Sequence, residues 1–159
     1  MNEIETFFQK YGKVVENLAQ AAELVPQEKL LFRPAPDSLP WIYVIFHPSV
    51  HWIILMKSLE GNPDHGFPDA YRAKENRVYS GKEASERILK GWDEFSAYLR
   101  SKPADWFQKK VSPPWGNEMR IMDILWWLYE EGTHHRGQAW VYSRINGIKP
   151  PSIWGTDNL

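Results

Sequence analysis

The chain contains no cysteine. That absence excludes a disulfide framework, a thiolate nucleophile, a cysteine zinc finger and an iron–sulfur cluster. Any metal must therefore sit on His, Asp or Glu, and any thiol chemistry must use a thiol brought in by a cosubstrate. Neither sign of charge is in excess, with 19 Lys and Arg against 20 Asp and Glu. So balanced a chain carries no electrostatic footprint for nucleic acid or an anionic membrane. Long hydrophobic runs are missing as well. The longest, WIYVIF from Trp41 and IMDILWWLY from Ile121, fall far short of the ~20 residues that span a bilayer. The opening MNEIETFFQKYGK is polar and amphipathic, unlike a secretory leader. The expectation is a cytoplasmic protein whose partner is a small-molecule substrate, with no role for nucleic acid or membrane.

What is abundant is aromatic: 9 Trp, 7 Tyr and 7 Phe. Such side chains build cores and interfaces, and they also wall cavities. The length of 159 residues suits one domain, 1–159, able to bury a core without staples.

Helical periodicity recurs along the chain. Ile4, Phe7, Phe8, Tyr11, Val14, Val15, Leu18, Ala21 and Ala22 predict one apolar face over 2–25, stopped by Pro26. Asp37 or Ser38 can cap a second helix, with Pro40 in its first turn and Pro48 inside it, running to about Leu59 before Gly61-Asn62-Pro63. Residues 61–80 read as a long loop. Ser80-Gly81-Lys82-Glu83 opens a third helix through Leu99, with Ile88, Leu89, Trp92, Phe95, Ala97 and Leu99 as apolar surface. Trp106 to Met119 reads as a hairpin or irregular loop. Ile121 to Ile145 forms the fourth helix, with Asn146-Gly147 as its C-cap, and the tail leading into Trp154 packs back. The pattern predicts an all-α four-helix bundle.

Two clusters carry possible chemistry. Glu131 and His135 lie four residues apart on the fourth helix, on the face that continues through Leu128 and Ala139 or Tyr142. At that spacing a carboxylate and an imidazole can converge on one cation. The pair can equally be an ordinary acid–imidazole contact, or His135 a core histidine bonded to a backbone carbonyl. His134 points about 100° away, toward rim or solvent. Gly132 and Gly137 each cost about 1 kcal/mol relative to Ala inside a helix, which points to close approach by another helix or a ligand. The second cluster is His47-Pro48-Ser49-Val50-His51, where either His can supply a third ligand from a facing helix. Such a two-His, one-carboxylate set accepts Zn, Ni, Mn or Fe(II). His65 reads as a solvated loop residue. No phosphate-cradling glycine motif, nucleophile elbow or HExxH is present.

The stretch His134-His135-Arg136-Gly137-Gln138, followed by Tyr142, Arg144, Gly147 and Pro150-Pro151, resembles the closing helix of the DinB-like superfamily. Arg33-Pro34-Ala35 and His47 fit its early part. The resemblance implies a four-helix bundle, often a homodimer, with one divalent metal ion held by His47, Glu131 and His135. His51 is the runner-up for the second-helix ligand. Many relatives carry His where this chain has Glu131, and the His/Glu/His form resembles the mycothiol-dependent maleylpyruvate isomerase branch. The resemblance further implies a metal-dependent transferase, with a low-molecular-weight thiol such as bacillithiol or mycothiol as cosubstrate. Arg136 can hold a carboxylate of that thiol, or pair with an Asp or Glu at the bundle rim. A metal-dependent hydrolase and a non-catalytic dimeric binding or stress-response bundle are the alternatives.

Overall fold

The computed structural model of the chain describes residues 2–59, 77–113 and 116–153. Four helices dominate: α1 (Glu3–Glu23), α2 (Trp41–Leu59), α3 (Gly81–Arg100) and α4 (Ile121–Ile145). Between α3 and α4 a 3-10 turn, Ala104–Gln108, leads into two two-residue strands. These pair antiparallel, with Lys110 opposite Arg120 and Val111 opposite Met119. The fold is the expected all-α four-helix bundle, preceded at its last helix by a minimal hairpin. Among the described residues no helix is long and apolar enough to cross a membrane. Gly61-Asn62-Pro63, His65 and Trp154 lie outside the described residues.

The helix ends show why these segments start and stop where they do. Asn2 Oδ1 accepts from the Glu5 amide at the head of α1, where Glu3 and Glu5 also favour the positive dipole end. Ser80 Oγ accepts from the Glu83 amide, and the Glu83 carboxylate reaches back to the Tyr79 amide. At the other end of α4, Gly147 adopts φ 73°. Its amide donates to the Arg144 carbonyl, and the Ile148 amide donates to Ser143, the paired bonds of a Schellman cap.

Helix α2 departs from expectation. It opens at Trp41, and neither Asp37 nor Ser38 caps it. The Trp41 and Ile42 amides donate instead to the Phe32 and Leu30 carbonyls. Backbone 9 and 12 residues upstream thus satisfies the donors that a side-chain cap would have taken.

Helices α1 and α2 each pack against both α3 and α4. The order around the bundle is therefore α1–α3–α2–α4, and the α1–α2 connection crosses the bundle end instead of joining adjacent neighbours. This order is what sets α2 beside α4. The α1 stripe from Phe7 to Ala22 is buried as its periodicity predicts. On α3, Ile88, Phe95 and Leu99 are buried, whereas Leu89 and Ala97 face solvent because they fall off the single inward stripe.

The aromatic surplus goes largely into the core. Tyr11 stands edge-on to both Trp52 and Trp92, and Trp52 stacks on Phe95. The Trp52 indole N–H donates to the Tyr11 hydroxyl at 2.9 Å. The tail returns onto α4, where Trp140 Nε1 donates to the Pro151 carbonyl at 2.9 Å.

The two helical glycines of α4 differ. A Cβ on Gly132 would sit 2.7 Å from Tyr11 Cε2 and 3.2 Å from Val14 Cγ1, so α1 and α4 touch closely there. A Cβ on Gly137 would meet nothing within 4 Å; close approach holds at the first glycine only. Gly132→Ala should therefore destabilise the fold by about 1–3 kcal/mol through overpacking. Gly137→Ala should stabilise it by up to about 1 kcal/mol through helix propensity. Denaturant titrations of the two variants beside wild type check the opposite signs.

Candidate metal centre

The packing of α2 on α4 brings two i,i+4 pairs face to face. On α4 the helical repeat places Glu131 and His135 one turn apart, with His135 Nε2 3.0 Å from Glu131 Oε1. On α2 it places His47 and His51 one turn apart, their Nε2 atoms 3.2 Å from each other. Pro48 lies within that turn and the helix continues through it. Across the junction, His47 Nε2 lies 3.3 Å and His51 Nε2 3.6 Å from the same Glu131 Oε1. One carboxylate oxygen thus faces three imidazoles.

The donor atoms of His47, Glu131 and His135 all lie within 4.8 Å of one another. Two ligands held tetrahedrally, each about 2.0–2.2 Å from one ion, are about 3.3–3.6 Å apart. The spacing of Glu131 from His47 matches that range, and its spacing from His135 is slightly shorter. The charge balance also fits a cation. Among the described residues Glu131 makes its ion-pair contacts with histidines only, and a neutral imidazole leaves the carboxylate charge uncompensated. Hydrogen bonds from His135, then His47, then His51 hold the Glu131 carboxyl well below the usual carboxylate range, against the opposing effect of its partial burial. The residues present therefore fit a divalent metal.

All three sequence-predicted ligand positions converge. His51, the alternative to His47, converges with it, and its ring packs edge-on against Trp127. The two histidines are not rivals for one place, because one helix face delivers both. His134 is exposed, as expected. Arg136 departs from the expected pairing with an Asp or Glu at the rim. It finds no carboxylate at the rim among the described residues, and reaches the buried Asn17 Oδ1 of α1 at 3.4 Å. Partial burial lowers its pKa from the ordinary guanidinium value. Below the centre, the buried Tyr11 hydroxyl is held far above its ordinary value, chiefly by desolvation and further by the Glu131 charge.

A family model described as the DinB superfamily matches residues 11–139, a span that contains all of these side chains. The chain belongs to the DinB superfamily. No curated protein sequence matches it significantly. Among solved structures, it is similar to a DinB-like protein from Bacillus cereus, with a TM-score of 0.75 and 21% identity over 94% of this chain and 96% of that one. The DinB-like protein YjoA from Bacillus subtilis superposes with a TM-score of 0.68 and 16% identity, over 96% of this chain and 98% of its own. YfiT from Bacillus subtilis, described as a probable metal-dependent hydrolase with an unusual four-helix bundle topology, gives a TM-score of 0.71 and 15% identity. That match covers 91% of this chain and 88% of YfiT. At these identities the superpositions establish a shared fold.

Proposed function

We propose that His47, Glu131 and His135 hold one divalent metal ion, and that the protein uses it to join a low-molecular-weight thiol to a small electrophile. The observation that carries this reading is the convergence of three donor atoms from two helices within 4.8 Å. Zn, Ni and Mn all suit a set of two imidazoles and one carboxylate. When bound, such an ion lowers the pKa of a ligated thiol or water and polarises an electrophile beside it.

The chain's own residues supply the rest. Glu131 contributes the negative charge and, through its one shared oxygen, fixes where the imidazoles point. His51 braces both His47 and Glu131 from the α2 side. Having no cysteine, the chain cannot provide the thiol itself. Three protein donors leave positions open for an incoming ligand. A second reading, hydrolysis by an activated water, draws support from the description of YfiT as a metal-dependent hydrolase. Turnover that requires an added thiol favours transfer. Turnover of esters or amides without one favours hydrolysis.

Elemental analysis of untagged protein should find about one equivalent of Zn, Ni or Mn per chain, and little in His135→Ala. Wild type without metal after incubation with excess ion would overturn the reading. At a free metal concentration about 100-fold above Kd, the native state should gain about 2.7 kcal/mol. A melting shift in wild type and none in His135→Ala checks that gain. Because His51 supports the ligands, His51→Ala should weaken metal affinity by about 10–100-fold without abolishing it; competition with a chromogenic chelator measures the difference.

A further inference from the structure

Three imidazoles surround Glu131, but they are unequally reached by solvent. The His47 side chain is 20% exposed, while those of His51 and His135 are 3% and 6% exposed. His47 is also the one that lines a cavity of 220 Å³ beside α2. Of the residues around Glu131, His47 alone lines this cavity among the described residues, so the cavity meets the centre at that side chain. Its walls are apolar, formed by Leu39, Tyr43, Phe46 and Val50, with Arg33 beside them. Among the described residues no Asp or Glu lines it.

Arg33 is exposed, on a turn that its surroundings hold in place. One of its guanidinium nitrogens donates to the Ser38 carbonyl, closing the turn that carries both residues. That turn is tied to α2 through the Phe32 and Leu30 carbonyls, which accept from Trp41 and Ile42. It is tied to α4 by the Tyr142 hydroxyl, which donates to the Leu39 carbonyl at 2.9 Å, and by the edge of Phe32 against Tyr142. Arg33 forms no ion pair among the described residues, so most of its five donors stay available. A guanidinium at the mouth of an apolar cavity is suited to a carboxylate, which it can bind through two parallel hydrogen bonds.

We propose that this cavity is the seat of a small apolar carboxylic acid, which Arg33 holds by its carboxylate while its apolar body lies along Phe46 and Val50 toward His47. The size agrees: a cavity of about 150 Å³ accepts benzene, so 220 Å³ holds one ring or a short branched chain with its acid group. A substrate of this class would carry, at the end away from its carboxylate, the electrophilic carbon that the thiol sulfur adds to, or the ester or amide bond that water cleaves into acid and alcohol or amine. The assignment rests on the metal reading only for where the reacting end goes.

Benzoate, benzyl alcohol and acetate serve as probes, titrated calorimetrically into chelator-treated full-length protein so that no metal competes for the carboxylate. Metal content is measured on the same preparations before chelation, which keeps the two readings separable. Benzoate should bind wild type, and Arg33→Gln should weaken it by about tenfold or more, the effect of losing one charge-assisted pair. Benzyl alcohol, with the ring but no charge, should bind wild type and Arg33→Gln alike and less tightly than benzoate. Acetate, with the charge but no ring, should also bind less tightly. Val50→Phe, checked for an intact melting transition, should remove benzoate binding by filling the cavity. No benzoate binding to wild type overturns the proposal, as does unchanged binding in Arg33→Gln or acetate binding as tightly as benzoate. If benzoate binds as expected and no metal was present, the seat stands and the metal reading falls.

Discussion

The architecture turns on one contact, the Tyr11 ring lodged against Gly132. Because residue 132 has no side chain, α4 settles close enough to α1 for Tyr11 to fill the space a Cβ would occupy. The same ring carries a hydroxyl that accepts from Trp52 on α2. A single buried side chain thus sets the spacing of three helices directly beneath the carboxylate. Moving α4 outward by even a fraction of an ångström would withdraw Glu131 and His135 from the histidines opposite, since interiors at native packing density pass such strain on.

Above that floor, the centre is polar in the middle of a core rich in Trp, Phe and Ile. Burial penalises the Glu131 charge, and three imidazoles more than offset the penalty. The three Nε2 atoms gather on one Glu131 oxygen, while the buried His135 Nδ1 has no hydrogen-bond partner among the described residues. Arg136 shows a contrasting arrangement, where a half-buried guanidinium meets an amide oxygen and the face of Trp140 and no carboxylate among the described residues. Its cost is limited because the group remains partly in water.

Much of this was legible in the residues, and the remainder was not, for identifiable reasons. The α4 limits, Ile121 and Ile145, and its glycine cap follow from local spacing and left-handed backbone, both of which are sequence-local. The Glu131–His135 pair is local too. Whether His47 or His51 faces it is a matter of how α2 docks, and periodicity alone cannot distinguish two residues on one face; the docking uses both. The start of α2 was misplaced because its first amides bond to Leu30 and Phe32 carbonyls, and a backbone acceptor leaves no mark on the residue pattern. Likewise Arg33 shares a cavity with His47 on a turn pinned by α2 amides and by Tyr142 from the far end of the chain. Bundle order belongs to the same class: amphipathic stripes say that helices bury a face, not which neighbours receive it.

The centre is assembled from two halves, each complete within one helical turn and separated by roughly half the chain. Either half can form as soon as its own helix does, but neither encloses anything until α2 and α4 meet. Closing so long a loop is entropically slow, and the cost is met by hydrophobic docking before the polar atoms contribute. A ligand spanning both halves therefore has little to hold in a chain that is still collapsing. It acts on the finished bundle, and its kinetic signature is a longer native lifetime, with folding no faster than before.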